Sequence, residues 1–112
     1  MSQPLRYTIT DSRRGLIVQL LDENGAAVNV TGWAARLQGA SLEIGTNLDF
    51  AGSIFSAVEG KFLFAAVGNQ ITLAQAGGRS EVQFNAQVKW TDSVGGITFS
   101  DPFAVTLAKP LI

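Results

Sequence analysis

Asp22-Glu23-Asn24-Gly25 gathers more oxygen donors than any other short stretch of this sequence. Two chemistries could use such a cluster. A calcium loop of the EF-hand kind needs alternating Asp or Asn, a glycine, and a Glu six positions further on. Here Ala26, Ala27, Val28 and Val30 follow, where oxygen ligands would be needed. A phosphate-cradling loop needs G-x-x-x-x-G-K-[ST] between a strand and a helix. Gly25 and Gly32 have neither that spacing nor the lysine. What remains is a turn. Asn24-Gly25 is a strong hairpin signal, because both residues tolerate the positive φ of a type I′ turn. The stretch predicts a strand entering through Leu16 to Leu21 and leaving through Ala26 to Val30. Thr31-Gly32 then bends the chain into a strand that begins at Trp33.

Nothing else in the sequence assembles a reaction centre. Histidine and cysteine are both absent, which removes the commonest general base, the commonest transition-metal ligand and any disulfide. Most of the acids fall in turns (Asp22, Glu23, Asp49, Glu59, Asp92, Asp101), and Glu81 lies on the polar face of a strand. A Ser-x-x-Lys pair is missing as well. The expectation is a non-enzymatic protein without metal or cofactor.

Charge narrows the partners. Charged residues make up 15% of the 112, and Lys and Arg (8) nearly balance Asp and Glu (9), leaving a net charge of −1. A nucleic-acid binder wants a basic face, and Arg13-Arg14 is the only adjacent basic pair. So weakly charged a surface does little to keep copies apart, which makes self-association reasonable. No apolar run approaches the roughly 20 residues of a bilayer span. The first ten residues, MSQPLRYTIT, lack the pattern of a signal peptide. The sequence predicts neither membrane nor nucleic acid among the partners, and synthesis in a cytoplasm.

The elements that would carry these residues are strands. From Glu81 to Trp90, five apolar residues (Val82, Phe84, Ala86, Val88, Trp90) alternate with five polar ones, the signature of a half-buried strand. Leu5, Tyr7 and Ile9 alternate in the same way. Gly15 to Leu21 is almost continuously apolar, as in a strand covered on both sides. Further strands are expected at Trp33 to Gln38, Ile54 to Val58, Lys61 to Val67, Ile97 to Phe99 and Phe103 to Leu107. Glu59-Gly60 and Asp92 to Gly96 would turn the chain, and Asp101-Pro102 would kink it. Gly39 to Gly52 is irregular, with Leu42, Ile44, Leu48 and Phe50 suggesting one more strand. Gln70 to Ala76 holds a helix of two turns at most, bounded by Gly68 and Gly77. Together these predict an all-β fold: an antiparallel, immunoglobulin-like β-sandwich of about seven or eight short strands, without a disulfide, in one domain over residues 1–112. Trp33 and Trp90 would fill its centre.

Several of these pieces, taken in order, carry a resemblance. Asp22-Glu23-Asn24-Gly25, Val28 and Asn29-Val30-Thr31-Gly32 form an acidic turn followed by a step into the next strand. Glu59-Gly60-Lys61-Phe62, Gln70 to Gly78, Glu81 to Trp90, Asp92 to Gly96, Ser100 and Phe103 to Leu107 continue the series. From about residue 14 to 108 the chain resembles the N-terminal domain of the baseplate upper protein family of tailed phages. Asn29 stands where that family often has Asp. The resemblance implies an immunoglobulin-like sandwich that anchors a virion component to its neighbours without catalysis. Family members continue into a helical linker and a receptor-binding or trimerising region, which these residues do not include. A free-standing capsid cement or decoration protein is therefore a companion expectation.

Partner contacts are expected at the apolar termini, through Leu5, Tyr7, Leu107, Leu111 and Ile112, with other virion proteins and further copies of the chain as partners. The rival reading is a carbohydrate-binding module for host surface glycan. It would need exposed aromatics among Tyr7, Trp33, Trp90, Phe50 and Phe55, although each sits in an apolar alternation that favours burial.

Overall fold

The computed structural model describes residues 5–41 and 43–110. Among them, nine strands form two sheets packed face to face. The strands are β1 (Leu5–Thr8), β2 (Leu16–Gln19), β3 (Ala34–Ala40), β4 (Asn47–Ala51), β5 (Ser53–Ser56), β6 (Lys61–Phe64), β7 (Glu81–Thr91), β8 (Ile97–Phe99) and β9 (Phe103–Ala108). The large sheet runs β1-β9-β7-β3-β4, with β8 also paired to β7; the small sheet runs β2-β6-β5.

β7 is the spine, as its alternation requires. Val82, Phe84, Ala86, Val88 and Trp90 are all buried. On one side β7 pairs with β3, Leu37 opposite Val88. On the other it pairs first with β9 and then with β8. Between those two strands Ser100 stands in for a ladder residue. Its hydroxyl oxygen accepts from the Val88 N–H at 2.8 Å, while its own N–H donates to the Val88 carbonyl at 2.9 Å. The kink expected at Asp101-Pro102 is this interruption.

Several expectations give way. β1 pairs with β9 in parallel, Tyr7 opposite Leu107, so the sandwich is not purely antiparallel. The Gly15–Leu21 segment is an edge strand rather than one covered on both sides, and Ile17 is 48% exposed. No strand forms over Ala26–Val30; only a single bridge joins Leu21 to Ala27. The turn before it is not type I′, because Asn24 is not among the residues with positive φ. Gly25 alone has it, at 81°, and closes a three-residue loop with a bulge. Trp33 is half-buried beside the core, whereas Trp90 lies within it. β4 supplies the strand suspected in the irregular stretch, with Leu48 inward. The helix is a single turn, Leu73–Ala76, closed by a capping box between Thr72 and Gln75.

The two sheets are tied at both sides. At Gly52 the chain crosses from β4 to β5, and its N–H donates to the Ala35 carbonyl at 2.9 Å. A Cβ there would lie 2.8 Å from the Phe64 ring. At the opposite side, β1 turns toward β2 through Thr10, a β-branched residue held at φ 75°. The Thr10 N–H donates to the Gly68 carbonyl at 2.9 Å.

Candidate interaction surfaces

One end of the sandwich is built from turns. Asp22 to Ala26 and Asp92 to Gly96 adopt the same loop. In the first, the Gly25 N–H donates to the Asp22 carbonyl at 3.0 Å and the Asp22 N–H to the Ala26 carbonyl at 2.8 Å. In the second, Gly95 and Gly96 make the equivalent bonds with Asp92 at 3.1 and 2.9 Å. In each loop the Asp Oδ1 accepts two backbone N–H groups: Asn24 and Ala26 at 2.9 and 3.0 Å, Val94 and Gly96 at 3.0 and 2.7 Å. These carboxylates are thus occupied by their own turns. Among the described residues no group of three or more Asp or Glu could hold a metal ion.

Beside them lies the β5–β6 turn. Gly60 has φ 71°, and a Cβ on it would sit 2.6 Å from the Val28 carbonyl oxygen, so only glycine lets the Leu20–Val28 hairpin close over it. Lys61 Nζ lies 3.0 Å from Glu59 Oε2 and holds that carboxyl below its ordinary pKa. Val58 and Val94 project from two of these turns into solvent.

The outer face of the large sheet is polar. The registers place Gln38 opposite both Gln87 and Asp49, and Ala40 opposite both Asn85 and Asn47. The small residues Gly39 and Ala40 leave an open groove of about 460 Å³ between these amides. Arg36 Nε donates to Asp49 Oδ1 at 2.7 Å, and that hydrogen bond lowers the carboxyl's pKa. Phe99, opposite Lys89 on the same face, is 52% exposed.

The small sheet is the apolar one. Ile17, Leu21, Ile54, Phe55 and Val58, all on its strands or in the turns that follow them, are exposed. Ile17 pairs with Leu63 on the side turned away from the core.

The terminal residues expected to meet a partner fall elsewhere. Leu107 is completely buried and Tyr7 nearly so, both within the core shared by the two sheets. The Tyr7 hydroxyl sits 3.5 Å from the Gly15 carbonyl, and burial pushes its pKa up against the lowering effect of Arg14. The parallel β1–β9 pairing uses the apolar character of these residues inside the domain, so neither side chain is left for a partner. Leu5 keeps partial exposure. Leu111 and Ile112 lie outside the described residues. Of the five aromatics weighed for sugar binding, Tyr7 and Trp90 are buried, Trp33 and Phe50 are half-buried, and Phe55 is 57% exposed.

Sequence reasoning passed over Ile17 and Phe99. Ile17 sits in an almost continuous apolar run and Phe99 in a short alternation, and neither pattern says which face meets the core.

No family model and no curated protein matches the sequence. Among solved structures, the N-terminal domain of phage TP901-1 ORF48 superposes with a TM-score of 0.56 at 14% identity, covering 96% of this chain and 84% of that one. This chain shares its fold. No helix among the described residues is long and apolar enough to cross a membrane.

Proposed function

We propose that this domain is a non-enzymatic structural component of a tailed-phage virion. It acts as an immunoglobulin-like module that packs on other virion proteins and on copies of itself. The carrying observation is the fold shared with the TP901-1 ORF48 N-terminal domain over nearly the whole chain. The exposed apolar residues of the small sheet support the reading, since removing such surface from water contributes roughly 25 cal/mol per Å². Repetition on a lattice would turn weak single contacts into firm attachment. The position in the particle is either a baseplate or tail adaptor, as the family resemblance implies, or a free-standing capsid decoration protein.

Antibody-gold labelling of phage particles tests this. Gold at the tail tip supports the adaptor role, and gold over the head supports decoration. Particles free of the protein by mass spectrometry would defeat the virion reading.

One observation favours a second reading, glycan binding. The amide-lined groove of the large sheet shares its face with the exposed ring of Phe99, and sugars bind through amide hydrogen bonds beside an aromatic platform. Glycan-array binding lost in Phe99→Ala would support it.

A further inference from the structure

The two sheets differ at their edges. Two edge strands of the large sheet carry charge, Arg6 on β1 and Asp49 on β4, and the third, the uncharged β8, is only three residues long; β2 and β5 of the small sheet carry no charge. Exposed edges without charge are templates for pairing. β5 is blunted by a bulge between Ile54 and Ser56. β2 has a regular register against β6 over its whole length.

The free side of β2 can be read from its hydrogen bonds. The Leu20 N–H donates to the Gly60 carbonyl at 2.9 Å, and the Leu20 carbonyl accepts from Val28 at 3.1 Å. Both bonds point toward the β6 side. Backbone polar groups alternate along a strand, so those of Ile17 and Gln19 point the other way, to the open edge. Leu16, Val18 and Leu20 turn inward yet stay half-buried, because among the described residues no strand lies beyond β2 to complete their cover.

The flanks of this strand mirror each other in charge. Arg13-Arg14 precede the apolar run and Asp22-Glu23 follow it, at equal distances from Val18. All four are exposed.

We propose that β2 pairs antiparallel with β2 of a second copy, about a two-fold axis through Val18, so that two small sheets become one. Such an interface is isologous: each copy presents the same strand. Ile17 of one copy lies opposite Gln19 of the other, and their free N–H and C=O groups exchange bonds. Shifting the register by the two-residue step that the pleat permits would set Ile17 against Ile17 or Gln19 against Gln19. Neither shift aligns the charges. Only the Val18-centred register sets Arg14 across from Asp22 and Arg13 across from Glu23, on both flanks. It also sets Leu21 across from Gly15, which has no side chain to obstruct it. The Tyr7 hydroxyl lies near the Gly15 carbonyl, so the backbone ladder ends there and the arginines act through their long side chains. A net charge of −1 leaves little long-range repulsion between copies.

This deepens the self-packing part of the proposed function and can fail without it. Sedimentation velocity on the full chain across a concentration series is expected to show a monomer–dimer equilibrium that added salt weakens. R13E and E23R alone should each weaken dimerisation, and R13E/R14E should raise the dissociation constant by about tenfold. R13E together with E23R should restore it, because the swap regenerates opposite charges. Gln19→Pro removes an N–H that faces only the open edge, so it should give a folded monomer by circular dichroism. A wild-type chain that stays monomeric at high concentration overturns the proposal. So does a dimer that neither the charge variants nor Gln19→Pro disturbs. A monomer whose entry into particles is nevertheless blocked by Gln19→Pro would give the β2 edge to a strand of another protein. Particles lacking the protein, with the dimer intact, would defeat the virion reading and leave this one standing.

Discussion

Asp22 and Asp92 show how one residue type can look like a ligand and act as a brace. Each places a carboxylate oxygen against two backbone N–H groups of its own loop. A charged acceptor for backbone donors is worth more than a neutral one, although solvent competes in an exposed turn. Asp92→Ala is therefore expected to destabilise the domain by about 1 kcal/mol, and Asp22→Ala by a similar amount. Urea denaturation of the two single variants and the double variant checks this. The D-x-x-G-x spacing was legible in the sequence at both sites. The turn type was not, because Asn24-Gly25 suits type I′ equally well, and the outcome depended on which backbone bonds the neighbouring strands completed.

Among the elements, β1 depends most on contacts distant in sequence. It is four residues long and lies at the edge of the large sheet. Its fixed points are the parallel ladder to β9 and the corner where Thr10 meets Gly68. A Cβ at Gly68 would fall 1.9 Å from the Thr8 carbonyl oxygen, a clash with backbone that no side-chain rotation relieves. Gly68→Ala should cost about 2–4 kcal/mol and loosen β1 first. Hydrogen exchange should then accelerate at Tyr7 and Ile9 before β7. The sequence marked Gly68 as a helix boundary. Its close approach to β1 belongs to the tertiary structure, since the two segments are far apart along the chain.

At the scale of the whole molecule, the sheets are held together by aromatic packing. Phe64 is fully buried, its ring meets Phe50 edge-on at 5.9 Å between centroids, and it closes over the Gly52 crossover. Phe64→Ala removes this bridge and is expected to cost about 3–5 kcal/mol. Domains of this size are stable by only about 5–15 kcal/mol, so the variant should melt far below the wild type in a calorimetric scan, with both sheets lost together.

By itself the sequence determined the β architecture, the spine at Glu81 to Trp90, the turn positions and the absence of His and Cys chemistry. These follow from period-two patterning, local turn chemistry and composition, none of which needs distant contacts. Only the tertiary structure decided which apolar segments became edges. Leu16 to Leu21 reads like a central strand, yet it lies at the border of the small sheet and leaves Ile17 in solvent. Tyr7 and Leu107 read like docking residues, yet they cover each other in a parallel pair. The physical reason is the same in both cases: periodicity fixes which residues share a face, while burial depends on what the chain brings against that face from elsewhere.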